Sequence, residues 1–257
     1  MKQGRVLLCI AFISCIAGST YSGEIPSKDT LYTFPKISYV FNFRLGTGRY
    51  WKNSSPVFGD STRGGISLFG IGGGVKKDKF SLLLKWDWTG LWSKITFDNE
   101  KETTLKAKHD FHDLKLEGRF NLLRYSYFQT GISVALQHYY FKGYLEREER
   151  ETGIKKIYVD RSWGRWGPEI GTDLRFILNV RREKNSGGFV FIECDESWFF
   201  GEENENKCEI KIGAGGAERT ATNHYLGGDF YLFFRRYYGK AFKSWYFGLG
   251  GSFITAK

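Results

Sequence analysis

The segment KHDFHD (108–113) carries residue types that bind metal ions or act as general acids and bases. In an extended chain His109 and His112 point to opposite faces, so a shared metal would need a turn or bulge between them. Asp113 shares the face of His109 but lies about 13 Å along the strand at ~3.3 Å per residue, too far to orient the imidazole. If the protein is a hydrolase, Asp98, His109 and Asp113 are its candidate catalytic residues; no cofactor and no metal site is predicted.

Two cysteines, Cys194 and Cys208, lie on neighbouring segments of alternating polarity. The antiparallel register that pairs them also places Ile192 opposite Ile210, so one register satisfies both the thiols and the aliphatic side chains. Two interpretations stay open. One is a cross-strand disulfide in an oxidising compartment, and the other is a pair of unbonded thiols, because cross-strand geometry is often strained.

The run GGISLFGIGGG (64–74) has the glycine content of a phosphate-binding loop. It precedes the hairpin signal KKDK (76–79) and no helix follows it, which argues against nucleotide binding. A tight turn at Lys77-Asp78 would pair Val75 with Phe80 and Ile71 with Leu84, collecting the apolar partners on one face.

Alternation of apolar and polar residues, as in FSLLLKWDWTG (80–90), recurs along almost the whole chain and is typical of β-strands with one apolar face. Aromatic residues make up 18% of the chain and there are 32 glycines, which also favours an all-β fold. We predict about ten strands, with eight to twelve compatible with the pattern. Their expected positions are 37–48, 64–76, 79–97, 109–123, 127–145, 156–178, 189–200, 208–216, 222–235 and 243–255.

Charges of both signs occur in mid-strand positions, opposite Trp, Phe and Leu, and nearly cancel. In a closed antiparallel transmembrane β-barrel these charges would face the lumen and the apolar side chains would face lipid. A soluble barrel of lipocalin type would have the opposite arrangement. The predicted interior network consists of Arg44, Lys85, Asp87, Lys115, Glu117, Arg119, Glu169, Asp173, Arg175 and Asp229.

The first 22 residues combine two positive charges, an apolar run and small residues, which is the plan of a secretory signal peptide cleaved after Ser22 or Ser19. We therefore expect a signal peptide (1–22), an extended lead-in (23–36) and a barrel domain (37–257). The formal charge of +10 could indicate nucleic acid, but export argues against that partner, and none is predicted. Outer-membrane lipids are the expected partners, with lipopolysaccharide phosphate as the anionic candidate.

Taken together, the signal peptide, the alternating segments, the short turns followed by longer charged loops and the aromatic last strand resemble a Gram-negative outer-membrane β-barrel protein. A narrower resemblance is to the omptins, ten-stranded outer-membrane proteases. HDFHDLKLEGRFNLLRYSYFQTGISVALQHYYFKGY resembles an omptin hairpin and YVDRSWGRWGPEIGTDLRF the strand that follows it. The segment DESWFFGEENENKCE, where an omptin carries an Asp–His pair, has no histidine.

These patterns predict an integral outer-membrane barrel with a plugged polar interior and surface-exposed loops, in a structural or surface-interaction role more than an enzymatic one. The alternatives are an omptin-like protease or other surface hydrolase, and a soluble lipocalin-like binding barrel.

Overall fold

The structure is a computed structural model that describes residues 37–52, 62–77, 79–90, 95–100, 103–124, 128–149, 153, 155–181, 186–200, 205–219, 224–239 and 242–256. The predicted signal peptide and lead-in lie outside these residues. No helix among the described residues is long and apolar enough to cross a membrane. The strands are β1 (Ser38–Lys52), β2 (Thr62–Lys77), β3 (Phe80–Thr89), β4 (Ile95–Glu100), β5 (Thr103–Arg124), β6 (Phe128–Glu149), β7 (Lys155–Arg181), β8 (Ser186–Phe199), β9 (Glu205–Arg219), β10 (Tyr225–Tyr238) and β11 (Phe242–Ala256).

The strands form one closed antiparallel barrel. Apart from β3 and β4, each strand pairs with its neighbour in sequence; β1 pairs with β11 at one seam, and β3 pairs with β5. Because β3 and β4 both pair along β5, these two segments occupy one position in the wall and the barrel has ten strands. The prediction of a closed all-β barrel of about ten strands is confirmed.

One predicted strand, 79–97, is interrupted. Gly90 follows β3 with a φ of 120°, a backbone conformation that side chains with a Cβ rarely adopt. The regular strand therefore ends at Thr89 and pairing with β5 resumes only at Ile95. The WTG sequence at 88–90 contains the signal for this break, but alternation on both sides of it predicts a continuous strand.

The two ends of the barrel differ in height. The first and last described residues, Ile37 and Ala256, lie at one end, which we call the termini end; the opposite end is the distal end. Strands β5, β6 and β7 extend furthest at the distal end. Their total lengths are 22, 22 and 27 residues, whereas β10 has 14 residues. The connection predicted at 179–188 shortens to 182–185, because β7 and β8 extend into it.

Side chains alternate between a buried polar interior and an exposed apolar exterior. On β10, Leu232 is 49% exposed and Arg235 is 2% exposed. The exposed aliphatic and aromatic side chains continue around every wall position and form an apolar belt. It includes Phe43, Leu45, Ile71, Leu84, Leu116, Val134, Leu136, Ile170, Ile192, Ile212, Leu232 and Leu249. A soluble barrel would bury this set, so the lipocalin-like alternative is wrong and the belt faces lipid.

Both register predictions made for individual hairpins are wrong by two residues. Phe80 pairs with Lys77, so Val75 lies opposite Leu82 and only positions 78–79 separate the paired residues. On β8 and β9, Cys194 lies opposite Ile210 instead of Cys208. A shift of two residues leaves every side chain on the face it had, so the hydrophobic pattern alone cannot distinguish the two registers.

Candidate functional site

Four charged side chains from four strands close a ring in the distal half of the lumen. Arg44 Nε lies 2.7 Å from Asp87 Oδ1, and Arg235 Nη2 lies 2.6 Å from Asp87 Oδ2. Arg235 Nε also donates to Glu209, and Arg44 Nη1 reaches Glu209 at 3.2 Å. Each guanidinium thus contacts both carboxylates, and β1, β3, β9 and β10 are tied together through the interior.

A second cluster surrounds Glu117 on β5. Its carboxylate is fully buried and lies 2.8 Å from Lys85 Nζ, 2.9 Å from Lys115 Nζ and 3.2 Å from Arg119 Nη2. Lys115 also contacts Glu169 of β7 at 2.6 Å. Three cations therefore share one carboxylate, which joins β3 to β5.

Side chains from opposite walls meet at Lys207 of β9. Lys207 Nζ lies 2.9 Å from Asp113 Oδ2 and 3.2 Å from Glu169 Oε2, and it donates to the amide oxygen of Gln137. Tyr237 donates its hydroxyl to the same Asp113 oxygen at 3.1 Å. These contacts cross the lumen, because β5 and β9 are separated by three strands in the sheet.

The half of the lumen nearer the termini end is organised by Lys211 and Arg119. Lys211 contacts Glu193, Asp195 at 2.8 Å and Glu209 at 3.1 Å, while Arg119 reaches Glu193 at 2.7 Å. Beyond them a cavity of about 80 Å³ remains, lined in part by Lys85, Arg119, Glu193 and Lys211. A cavity of this size with charged side chains in its wall can hold water molecules.

An aromatic cluster covers the charge network toward the distal end. Tyr139 stacks on Tyr237 with ring centroids 4.9 Å apart, Phe111 packs on Phe141 at 4.8 Å, and Phe199 lies 5.5 Å from Tyr139. All five rings are at most 4% exposed. The lumen is therefore filled by ion pairs in the middle and by packed rings above them.

Interior glycines make room for this filling. A Cβ on Gly70 would lie 2.3 Å from Asp87 Oδ1 and 2.5 Å from Arg44 Cγ. A Cβ on Gly171 would lie 1.9 Å from Asp195 Oδ1. The glycine-rich β2, which resembles a phosphate loop in composition, thus provides space for neighbouring charged side chains.

The structure places the predicted interior charges on the lumen side, and all but one of them form ion pairs there. Asp229 is the exception, because its carboxylate accepts the backbone N–H of Ser252 at 3.1 Å. Sequence reasoning missed Arg235 and Lys207, two of the most connected residues. Arg235 was expected at the very end of a strand and Lys207 in a loop, whereas β10 and β9 extend beyond both.

Of the three candidate catalytic residues, only Asp113 has a side chain within the described part of the structure. Asp113 is 5% exposed and bonded to Lys207 and Tyr237. The side chains of Asp98 and His109 lie outside the described residues. No cluster of His, Cys, Asp or Glu in the described part of the chain could hold a metal ion.

No disulfide joins Cys194 and Cys208. In the observed register Cys194 faces Ile210 and Cys208 faces Glu196, so the cysteines are diagonal neighbours on the outer face. The Cα atoms of diagonal neighbours stand about 7–8 Å apart, which exceeds the ~5.5–6 Å that is usual between the Cα atoms of a disulfide. The register that opposes the cysteines would instead set Glu193 against Glu209 in the lumen, whereas the observed one sets Glu193 against Lys211.

Aromatic side chains border the apolar belt on its distal side. Trp86 stacks on Trp88 with centroids 6.2 Å apart, and His112 stacks on both at 6.0 Å. Tyr140 lies next to His112 at 6.2 Å. Amphipathic rings of this kind concentrate where a membrane meets water.

A closed antiparallel barrel with a charged, filled lumen, an apolar belt and bordering aromatic rings is an outer-membrane β-barrel. No protein-family model matches the chain, and no curated protein has a significantly similar sequence.

Several solved outer-membrane barrels are similar to this chain in fold. The translocator domain of the autotransporter NalP from Neisseria meningitidis is 8% identical and has a TM-score of 0.46, over 97% of this chain and 95% of that one. The outer-membrane protease OmpT from Escherichia coli is 8% identical with a TM-score of 0.40, over 88% and 99%. The transport unit of the autotransporter AIDA-I from Escherichia coli is 10% identical with a TM-score of 0.39, over 95% and 96%. At these identities the similarity concerns the fold alone.

Proposed function

We propose that this protein is a non-conducting, non-enzymatic outer-membrane anchor whose distal strands form a surface-interaction platform. The observation that carries the proposal is the cross-lumen charge network, from Lys207–Asp113 to the ring formed by Arg44, Asp87, Arg235 and Glu209. Paired charges and packed rings occupy the lumen in the described part of the chain, which supports a lumen closed to ions and solutes. The barrel wall then serves as a rigid support.

The length of the distal strands supports the platform. A transmembrane strand needs about 9–11 residues, whereas β5 and β6 have 22 each and β7 has 27. The surplus extends beyond the bordering aromatic rings, on the side away from the termini. Outer-membrane barrels carry their longer connections outside the cell, so the distal end is assigned to the cell exterior.

The proposed route to the membrane begins with export. Residues 1–22 act as a cleaved signal peptide, residues 23–36 as an extended lead-in, and residues 37–257 as the barrel domain. N-terminal sequencing of the protein recovered from envelopes tests the cleavage after Ser22 or Ser19.

Planar-bilayer recordings test the closed lumen most directly. The refolded protein should insert, as shown by a gel shift between unheated and boiled samples, and give no steady conductance steps. Regular steps would overturn the non-conducting assignment. In parallel, the folded protein should leave a panel of fluorogenic peptides intact. Cleavage that disappears with His109→Ala, Asp98→Asn or Asp113→Asn would establish the hydrolase alternative instead.

The orientation is tested separately with intact cells. Protease added outside should cut within 146–157, the tip of β6 and β7, and leave the termini untouched. Loss of a C-terminal tag under the same treatment would mean that the barrel is inserted the other way.

A further inference from the structure

Two arginines and a lysine lie on the outer wall immediately beyond the apolar belt. Arg49 of β1 and Arg236 of β10 both lie directly opposite Trp245 of β11, one on each side. Adjacent strands are about 4.8 Å apart, so the two arginine Cα atoms are roughly 10 Å from each other. Lys243 lies opposite Tyr238 one outward position further along the same strands.

The outward direction of these side chains follows from their inward neighbours. Arg235 and Tyr237 flank Arg236 and are buried, and Ser244 and Tyr246 flank Trp245 and are buried. Arg49, Arg236 and Lys243 are exposed.

The next outward-facing side chains toward the termini end belong to the apolar belt. Phe234 lies opposite Phe247, and two residues further Leu232 and Leu45 flank Leu249. All five are exposed apolar side chains. The cations therefore stand where the acyl chains of a bilayer end and the headgroups begin.

No described carboxylate forms an ion pair with Arg49, Arg236 or Lys243, in contrast to the cations of the lumen. Among the described residues paired across the sheet at this position, the nearest outward-facing acid is Glu196 of β8. Strand β9 lies between Glu196 and Arg236. Arg236 instead lies over the ring of Tyr238, with its Cζ 4.4 Å from the ring centroid. This contact holds the guanidinium beside the wall, with donors left for an anion.

We propose that Arg49, Arg236 and Lys243 bind the phosphate groups of a phosphorylated glycolipid in the leaflet at the distal end. The arginines bind a phosphate from both sides of Trp245, whose ring packs on the sugar–acyl junction, and the acyl chains lie along Phe234, Phe247 and Leu249. This lipid site goes beyond the proposed surface role. The only part of the proposed function on which it depends is the orientation of the barrel, with the distal end outside the cell. It commits to a lipid source because the cations are continuous with the apolar belt.

The test uses full-length protein refolded in a neutral detergent and purified lipopolysaccharide as the probe. Equilibrium binding is compared for intact lipopolysaccharide and for the same preparation after phosphatase treatment. The variant is Arg49→Ala with Arg236→Ala. The matched control is Lys77→Ala with Lys79→Ala, which removes two exposed positive charges at the termini end. The boiling-dependent gel shift establishes that each variant is folded.

The wild-type protein should bind intact lipopolysaccharide about tenfold more tightly than the dephosphorylated form, as expected for charge-assisted hydrogen bonds. The arginine variant should lose at least that factor, and the lysine control should stay within about twofold of wild type, since its charges lie outside the site. Equal binding of both lipid preparations, or equal losses in the two variants, would overturn the site. Displacement of the lipid by millimolar inorganic phosphate would overturn its assignment to a lipid. Because binding is measured in detergent, a failure here is distinct from a failure of the orientation test on cells.

Discussion

Lys207 on β9 and Asp113 on β5 meet at 2.9 Å across the lumen, although 94 positions separate them in the sequence. Neither position is expected to be charged in a soluble barrel core, where an ion costs several kcal/mol to bury. Here protein groups take the place of water around both ions. Lys207 also contacts Glu169 and Gln137, and Asp113 accepts a hydrogen bond from Tyr237. These contacts connect opposite sides of the wall through the interior, which is the basis for proposing a closed lumen.

The carboxylate of Glu117 should be more important for stability than any one of its cations. Glu117→Gln leaves Lys85, Lys115 and Arg119 without their shared anion and should cost about 3–5 kcal/mol. Lys85→Met removes one cation while Glu117 keeps two others, so we expect a loss of about 1–3 kcal/mol. Urea unfolding in detergent, followed by tryptophan fluorescence, measures both. Equal losses for the two variants would argue against a shared carboxylate.

Glycines facing the lumen should resist substitution more than those facing lipid. Gly70→Ala places a methyl group within 2.3 Å of the Asp87 carboxylate and should destabilise the barrel by about 1–3 kcal/mol. Gly118→Ala is the matched control on the outer face, where the nearest atom, on the Phe80 ring, is 3.6 Å away. That control should be neutral or stabilising by about 0.5 kcal/mol, because alanine loses less backbone entropy in a strand. The heat required for the gel shift reports both changes, and the opposite ranking would contradict the packing described for β2.

Oxidation can determine the register of β8 and β9. Cys194 and Cys208 should remain unlinked under mild oxidant, because they are diagonal neighbours. Ile210→Cys in a Cys208→Ala background puts a thiol directly opposite Cys194 and should raise the yield of cross-link severalfold. Mass spectrometry of the tryptic peptides identifies the bond. Efficient linkage of the native pair would support the register inferred from the sequence instead.

The two register errors show what a single sequence determines in this fold. The assignment of faces, from Phe43 outward to Glu117 inward, follows from period-two alternation and agrees with the structure. Register needs information on which charges meet in the lumen, and a slip of two residues changes those partners without changing any face. Arg235 and Lys207 were missed for a related reason. Strand ends are weakly marked in the sequence, and these two residues lie near them.

The direction of the side chains is the central claim, and spin labels at consecutive residues test it. Cysteines are introduced one at a time at Leu232 and Phe233 in protein whose other cysteines are alanine, and the labelled, refolded barrels are placed in lipid vesicles. Leu232 is 49% exposed on the belt and Phe233 is 1% exposed in the lumen. The label at 232 should collide readily with dissolved oxygen and poorly with a water-soluble nickel chelate, whereas the label at 233 should be shielded from oxygen. Nickel accessibility at 233 together with shielding of 232 from both reagents would contradict this side-chain direction, since the apolar belt would then line the core of a water-soluble barrel.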